Sequence, residues 1–235
     1  MITFSCFLYR RQLSSTLFDV LLHCLPVNMR IEVCRYNRWE DRQNRLFGRL
    51  LLRDLLCEEG YSPDSLERVN ADAAGKLFLE DASVDFNLSH SGNMVLAAIT
   101  RSGRIGVDVE LKAALKPKDI AVVLRPEELE RLQREDKDAL YGLWTRKESL
   151  VKARGQGLAI DVRDIYLRND NRATLQMNGL AETWFYQQLP LPADYVAVLC
   201  TSQLLPEAVF LPAEDLIDRA IRYAGIDIAT LPLFV

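Results

Sequence analysis

The hydrophobic and polar positions of this chain follow two periods, one typical of helices and one of strands. Residues 2–9 (ITFSCFLY) are rich in aromatic and β-branched side chains and predict a strand. Apolar residues then recur every three or four positions, which predicts a helix over about residues 41–59 that ends at Gly60. The apolar stripe of this helix consists of Leu46, Phe47, Leu50, Leu51 and Leu55.

Basic residues lie on the other side of this predicted helix. They are Arg42, Arg45, Arg49 and Arg53. We expect a solvated face, on which the arginine stems cover apolar surface while the guanidinium groups reach water.

Three apolar runs separated by turn residues follow in the middle of the chain, at residues 84–90, 94–100 and 105–110. Their close spacing predicts an antiparallel meander of three strands. A second helix is predicted over about residues 136–154. Its core-facing stripe would consist of Leu140, Leu143, Trp144 and Val151.

The C-terminal third predicts another strand pair, at residues 182–189 and 194–201, and a last helix over about residues 213–223. The two halves of the chain also share an outline of a strand, a linker and a long helix. This similarity indicates an internal duplication.

Composition places the chain among ordinary globular proteins. It has 235 residues, of which 49% are hydrophobic, and a formal charge of −4, so it lacks the charge signature of nucleic-acid or membrane binding. No apolar run approaches the roughly 20 residues that a membrane span needs, and the apolar run of the opening residues MITFSCFLYRRQ is too short, and its basic pair on the wrong side, to predict a signal peptide. Five cysteines without CxxC spacing are typical of reduced thiols, so we expect a cytoplasmic protein.

Asp108 and Glu110 are the first candidates for chemistry. In a strand, residues i and i+2 point to the same face, so the two carboxylates share one side, roughly 6–7 Å apart at Cα. Two like charges on an apolar strand suggest that a cation lies between them. Acidic pairs of this spacing also occur on ordinary exposed strands, and that alternative stays open.

Glu148 supplies a third carboxylate, on the flank of the core-facing stripe of the second helix and beside Lys147. Charges on a buried face are unfavourable unless they are paired or bind a metal. With Asp108 and Glu110, Glu148 would form a site for a hard divalent cation, Mg²⁺ above all, with Mn²⁺ as an alternative. The plainer alternatives are a capping box ending at Glu148 and a surface ion pair between Glu148 and Lys152.

The segment FNLSHSG, residues 86–92, places Ser89 and His90 at the end of a strand. Both side chains could hold a phosphate, or the segment could be a turn in which serine and asparagine bind the backbone. The chain has no GxSxG elbow, phosphate-binding P-loop or GxGxxG fingerprint, so serine hydrolase and nucleotide-fold classes lack support.

Together, FNLSHSG, IGVDVE and WTRKESLVK resemble the signature segments of the 4′-phosphopantetheinyl transferases, specifically the monomeric surfactin-synthetase-activating type. The segments AGKLF (74–78) and FGRLLLR (47–53) are also placed as in that family. The resemblance covers the chain from its first strand to about Thr201.

The resemblance implies an α/β (α+β) fold built as a pseudo-twofold pair of similar subdomains, each a small, mainly antiparallel sheet packed on a long helix. The expected units are residues 1–103, residues 104–202 with the metal site, and a C-terminal extension at 203–235. The resemblance also implies that coenzyme A binds between the halves and that its phosphopantetheine is transferred to a serine of an apo carrier protein, with release of 3′,5′-ADP.

The resemblance assigns roles to individual residues. Asp108, Glu110 and Glu148 would hold the metal, and Lys152 would reach the phosphates of coenzyme A and stabilise the leaving group. Glu148, or a water it polarises, would deprotonate the attacking serine. The expected coenzyme A contacts, besides Lys152, are Ser89 and His90 at the 3′-phosphate, Lys76 at a phosphate or the adenine, and Arg45 and Arg30. Glu128 corresponds to a family glutamate near the metal, although Glu127 adjoins it.

Several positions depart from the family pattern. Leu77 replaces a proline that usually follows the equivalent of Lys76. Met29 and Glu32 stand where some relatives carry phosphate-binding lysines, so Arg30 or Arg35 would have to substitute. The usual helix arginine is shifted by one, which leaves Arg45 or Arg42 as candidates.

Partners and rival functions also follow from these residues. The linker 111–124, with three lysines among apolar residues, suits an acidic amphipathic carrier helix or is an ordinary connection. Both halves of the cleft lie in one chain, which predicts a monomer. A metal-dependent phosphatase using the same carboxylates, and a coenzyme A-binding or carrier-binding protein without catalysis, remain the rival functions.

Overall fold

The computed structural model describes residues 1–80, 83–112, 123–134, 137–168, 170–204 and 206–225. The strands are β1 (Ile2–Leu8), β2 (Val69–Ala71), β3 (Leu77–Leu79), β4 (Asp85–Ser91), β5 (Met94–Thr100), β6 (Ile105–Leu111), β7 (Ile165–Leu167), β8 (Arg172–Met177), β9 (Leu180–Gln188), β10 (Tyr195–Thr201) and β11 (Val209–Phe210). The helices are α1 (Ser15–His23), α2 (Val27–Cys34), α3 (Trp39–Glu58), α4 (Pro126–Arg134), α5 (Lys137–Arg154) and α6 (Leu216–Tyr223).

The strands form two main sheets and one small hairpin. The first sheet has the order β11-β1-β5-β4 and the second the order β6-β10-β9-β8-β7, while β2 pairs with β3. All strand pairs in the two main sheets are antiparallel except β1 with β11. The expected mixed α/β class is therefore confirmed.

The predicted meander of three strands is wrong at its third strand. Strands β4 and β5 form the expected hairpin, but β6 pairs with β10 in the second sheet. Val107 and Val109 of β6 are buried against Phe4 and Leu96 of the first sheet. The apolar face of β6 is thus buried by packing one sheet face to face on the other, which alternation along the sequence does not distinguish from strand pairing.

The two halves repeat the same arrangement. In the first, the order β1-β5-β4 is covered by α3; in the second, the order β6-β10-β9 is covered by α5. The layers therefore run helix, sheet, sheet, helix, with one core between the sheets and one under each long helix.

Helix α3 forms where the leucine spacing predicts it, but the expected solvated arginine face is wrong for two residues. Arg49 and Arg53 are only 5% and 3% exposed. Helix α2 covers the first, since Glu32 binds Arg49, and α6 covers the second, since Tyr223 packs on Arg53. Tertiary packing has buried both guanidinium groups beside partners.

Helix α5 is also where it is predicted, and Leu140 of its expected core stripe is buried, but the rest of the stripe is wrong. Trp144 and Val151 are only partly buried, whereas Thr145, Ser149 and Ala153 are fully buried. Small residues at this four-residue spacing let α5 lie close to β6. The helix begins well before Thr145, whose hydroxyl donates to the Tyr141 carbonyl oxygen, so Thr145 is not an N-cap.

The described part of the C-terminal extension packs on the N-terminal half. Strand β11 adds to the edge of β1, and the Leu211 amide donates to the Phe4 carbonyl oxygen at 2.8 Å. Helix α6 places Leu216 and Ile221 in the core under α3. The expected boundaries at 103 and 202 remain predictions.

Other expectations concern the linker, the cysteines and the membrane. Most of the lysine-bearing linker, residues 113–122, lies outside the described residues. All five cysteines are free thiols. In the part of the chain that the structure describes, no helix combines the length and the apolar character needed to cross a membrane.

Candidate active site

Strand β6 directs both carboxylates of its acidic pair towards helix α5. Its apolar residues face the first sheet, so Gly106, Asp108 and Glu110 take the opposite face. Gly106 makes the close approach of α5 feasible, because a Cβ at this position would lie 2.1 Å from the Ser149 carbonyl oxygen and 2.3 Å from the Ala153 amide nitrogen.

The outer edge of β6 is bound by side chains of β4 rather than by another backbone. Alternate polar residues of β4 accept hydrogen bonds of 2.8–3.2 Å from alternate amides of β6. The pairs are Ile105 with Asp85, Val107 with Asn87, Val109 with Ser89, and Leu111 with Ser91. This seam fixes the position of the acidic strand against the first half of the molecule.

Asp108 is buried and bound at one oxygen only. Its Oδ1 accepts hydrogen bonds from Lys152 Nζ at 2.6 Å and from Ser89 Oγ at 2.9 Å. Within the described residues, Oδ2 is buried without a hydrogen-bond partner. A buried carboxylate oxygen in this state is unfavourable unless a further cation or donor binds it.

The pKa values of Glu110 and Glu148 are both raised above the usual value of a glutamate. Burial raises the pKa of Glu110 from 4.5 to about 7, with a further rise from Asp108, although Ser91 and Trp144 donate hydrogen bonds to its carboxylate. Burial, followed by the charge of Asp108, also raises the pKa of Glu148. The charged forms of both glutamates are therefore unfavourable in this site unless a cation compensates them.

The donor set suits a hard divalent cation. Oxygen ligands, an unbound Asp108 oxygen and two carboxylates with raised pKa values are the conditions that such an ion relieves. Among the described residues, no three acidic, histidine or cysteine side chains already converge on one point as metal ligands. Binding of an ion by all three carboxylates would therefore require them to come closer together than they lie here.

These acids share a cleft of about 380 Å³ with basic residues of α3. Arg45 and Arg49 line it from α3, and His90 lines it from β4. Desolvation lowers the pKa of His90 from 6.5 to about 4, with further lowering by Arg45 and Lys152, so the ring is neutral at pH 7. The cleft thus has one acidic side and one basic side.

Ser89, on β4 in the first half of the molecule, forms hydrogen bonds to residues of the second half within this cleft. Its hydroxyl accepts from the Val109 amide at 3.2 Å and from Lys152 Nζ at 2.9 Å, and it donates to Asp108. Ser89 thus binds a backbone amide, as one interpretation of FNLSHSG expects, and it also lines the cleft, as phosphate binding would require.

Two predicted coenzyme A contacts lie elsewhere. Lys76 does not line this cleft; its ammonium donates to Asp85 and to the carbonyl oxygens of Ile105 and Ala153, which uses its three hydrogens. Arg30 donates to the carbonyl oxygens of His23, the last residue of α1, and of Leu25 just after it.

Glu128 also has a different neighbourhood from the expected one. It accepts hydrogen bonds from buried Lys147 at 2.7 Å and from Arg125, so it ties α4 to α5. It does not line the cleft that contains Asp108.

Sequence reasoning missed two contributions to the site. The helical spacing places Arg49 on a solvent-exposed face, and only the packing of α2 on α3 shows that it lines the cleft. The amide-binding side chains of β4 do have a signal, because Asp85, Asn87, Ser89 and Ser91 alternate with apolar or aromatic residues.

Comparison with known proteins agrees with the two-half architecture. A family model described as the 4′-phosphopantetheinyl transferase superfamily matches residues 104–200, and a second, described as the N-terminal part of a 4′-phosphopantetheinyl transferase, matches residues 12–101. Each model therefore covers one half of the molecule, and the acidic strand and helix α5 lie in the first of them.

Curated relatives extend over most of the chain. A putative 4′-phosphopantetheinyl transferase of Synechocystis is 34% identical over 174 residues, which cover 68% of this chain and 70% of the relative. The transferase HetI of Nostoc is 30% identical and covers 73% and 77%, respectively. A 4′-phosphopantetheinyl transferase of Bacillus subtilis is 28% identical and covers 82% and 89%.

The fold and the charged cleft thus define a transferase architecture made of two similar halves. The chain belongs to the 4′-phosphopantetheinyl transferase superfamily, a family of enzymes that includes the surfactin-synthetase-activating members.

Proposed function

We propose that this protein transfers the 4′-phosphopantetheine group of coenzyme A to a serine of an apo carrier protein. The observation that carries the proposal is the cleft, in which Asp108, Glu148 and Lys152 face the same space as Arg45 and His90. Phosphoryl transfer depends mainly on positioning and on neutralising charge, and this cleft offers both kinds of charge.

Asp108, Glu110 and Glu148 would hold Mg²⁺, or Mn²⁺ in its place. The support is the unbound Oδ2 of Asp108 and the raised pKa values of the two glutamates. When bound, the ion would neutralise charge on the diphosphate of coenzyme A. Lys152 already supplies a positive charge beside Asp108, at 2.6 Å.

The reaction forms one bond and breaks one. The carrier serine oxygen bonds to the β-phosphorus of coenzyme A, and the bond from that phosphorus to the bridging oxygen breaks, so that 3′,5′-ADP leaves with that oxygen. The hydroxyl proton passes to Glu148 or to a water that it orients.

The coenzyme A contacts best supported by the geometry are Ser89, His90, Arg45 and Lys152, which line the cleft. Arg30 and Lys76 remain predictions; each would have to exchange its present partners for the ligand.

Several wider assignments belong to the same proposal. The enzyme would act as a monomer in the cytoplasm, and carrier proteins would bind to the linker 111–124. The division into residues 1–103, 104–202 and 203–235 is also part of it, with strand β11 completing the first sheet.

The test follows coenzyme A consumption and 3′,5′-ADP release with and without an apo carrier protein. We expect both only when carrier and Mg²⁺ are present, and neither in EDTA. Consumption without carrier would favour the phosphatase, and binding of coenzyme A without consumption on any carrier would favour the non-catalytic protein. Glu127→Gln is the matched control for Glu148→Gln, because Glu127 is an exposed acid on α4.

A further inference from the structure

Helix α2 presents one acid to two arginines of the cleft. Glu32 Oε2 accepts a hydrogen bond from Arg49 Nη2 at 2.7 Å, and Glu32 Oε1 lies 3.7 Å from Arg45 Nη1. One carboxylate therefore faces two guanidinium groups. A positive charge remains on this side of the cleft after the pairing.

Arg49 and Glu32, which form the shorter ion pair, differ in how deeply their side chains are buried. The side chain of Arg49 is 6% exposed and lies in the middle of the long helix α3, whereas the side chain of Glu32 is 35% exposed. Glu32 has room to turn towards solvent, whereas Arg49 would then remain buried with its charge unpaired until another anion binds it. Such a charge strongly favours the entry of another anion.

Arg49 also has an unused donor. Among the described residues, its buried Nε has no hydrogen-bond partner. An arginine can bind two oxygens of one phosphate side by side, with more negative charge than a carboxylate offers. The site is thus incompletely satisfied by Glu32 and better matched to a phosphate monoester.

Coenzyme A carries two phosphate groupings, a diphosphate and a separate 3′-phosphate monoester. The diphosphate contains the reacting phosphorus, so it has to lie beside Asp108, Glu148 and Lys152. The monoester is then the anion left for the α3 side of the cleft.

We propose that Glu32 is a resident competitor for the 3′-phosphate of coenzyme A. Its carboxylate holds Arg49 in the free protein and yields that place when the ligand binds. Arg49 provides the attraction and Glu32 the competition, so the pair sets the preference of the enzyme for coenzyme A over 3′-dephospho-coenzyme A. This inference rests on the proposed function.

The test measures the dissociation constants of coenzyme A and 3′-dephospho-coenzyme A by calorimetry, with Mg²⁺ and without carrier, so that no turnover occurs. Glu32→Gln should tighten coenzyme A binding several-fold and leave the dephosphorylated ligand unchanged. Arg49→Gln should lower the affinity ratio of the two ligands by about tenfold or more, as loss of a charged hydrogen-bonded pair implies.

Matched variants guard against a general loss of structure. Glu40→Gln neutralises an acid of α3 that pairs with Arg38, and it should leave the ratio unchanged. Arg49→Lys keeps the charge without the planar pair of donors and should give an intermediate ratio. If Arg49→Gln does not fold, Glu32→Gln and Arg49→Lys decide the question.

Three results would overturn the inference. Glu32→Gln could change both ligands equally or weaken coenzyme A, which would make the pair a structural contact. The arginine variants could leave the ratio unchanged. A wild-type protein that binds both ligands equally well would refute this inference and leave the proposed transferase function standing, whereas one that binds neither ligand would contradict both proposals.

Discussion

Gly106 sets the distance between the acidic strand and helix α5. Any side chain there would collide with the helix backbone, at 2.1 Å from the Ser149 carbonyl oxygen. The helix must approach this closely for Lys152 to reach Asp108 at 2.6 Å. The glycine therefore belongs to the active-site geometry although it carries no chemistry.

Gly106→Ala should displace α5 and destabilise the protein by about 1–3 kcal/mol or more, as overpacking does. Activity should fall as well, because Lys152 moves with the helix. Denaturant unfolding and turnover measure the two effects. Gly142→Ala is the control: nothing lies within 4 Å of its Cβ position, and alanine should stabilise the helix by about 0.5–1 kcal/mol. Equal effects of the two substitutions would refute the close-packing explanation.

The raised pKa of Glu110 makes its contribution to the stability of the folded protein depend on pH. Its pKa is about 7 in the folded protein against 4.5 for the free side chain, so the folded state retains the proton longer. In EDTA, the contribution of Glu110 to the free energy of unfolding should therefore fall as pH rises from about 4.5 through 7, by up to about 3 kcal/mol. His90, whose pKa is lowered to about 4, contributes a change of the opposite sign, so the difference between the wild-type protein and Glu110→Gln isolates the contribution of Glu110. Chemical unfolding at a series of pH values measures this difference.

Glu110→Gln should remove this contribution, because glutamine does not titrate, so the free energy of unfolding of the variant should rise relative to that of the wild-type protein as pH rises from about 4.5 through 7. Glu127→Gln, at an exposed site, should retain the wild-type slope. A wild-type slope in Glu110→Gln would show that its carboxylate is not the group responsible.

Sequence reasoning found the acidic residues because it needed only local geometry. Alternation in a strand puts Asp108 and Glu110 on one face, and the helical period brings Glu148 and Lys152 together. Lys76 and Arg49 could not be placed in this way. Their neighbours, Asp85 and Glu32, come from other elements, and no local pattern shows which elements meet.

At the scale of elements, the seam between β4 and β6 holds the two halves in register. Four side chains of β4 replace the backbone of a neighbouring strand. Each of them satisfies an amide that would otherwise be left without a partner at the edge of the second sheet.

Asn87→Ala should leave the Val107 amide without its 3.0 Å acceptor and destabilise the protein by about 1–3 kcal/mol. Hydrogen exchange of the Val107 amide should accelerate accordingly. Asn70→Ala, at an exposed position, is the control and should change stability by less than about 0.5 kcal/mol. Unchanged exchange at Val107 would mean that water satisfies the edge equally well.

The long helices were predictable as elements, and their surroundings were not. The leucines of α3 are spaced so regularly that its position follows from the sequence. Its remaining faces are buried by α2, which precedes it in the chain, and by α6, which comes from the far end of the described chain. The core face of α5 was misassigned because its contacts with β6 are small residues rather than large apolar ones.

At the scale of the whole molecule, the C-terminal segment is part of the first half. Arg219 of α6 binds buried Asp54 of α3 at 2.7 Å, and Leu216 is fully buried. The segment therefore leaves the second sheet and returns to the core of the first.

Leu216→Ala should destabilise the protein by about 2–5 kcal/mol, because it removes a buried side chain from that core. Leu204→Ala, at a position that is 78% exposed, should change stability by less than about 0.5 kcal/mol. Thermal and denaturant unfolding of both variants measure the difference. A small effect of Leu216→Ala would show that the segment docks only loosely.

The central claim is that the charged cleft transfers phosphopantetheine to a carrier protein. Intact-protein mass spectrometry of an apo carrier incubated with coenzyme A, Mg²⁺ and this protein tests it most directly. We predict that the carrier gains the mass of one phosphopantetheine with the wild-type protein and with Glu127→Gln, and gains none with Glu148→Gln or in EDTA. An unmodified carrier with the wild-type protein, or full modification with Glu148→Gln, would contradict the account.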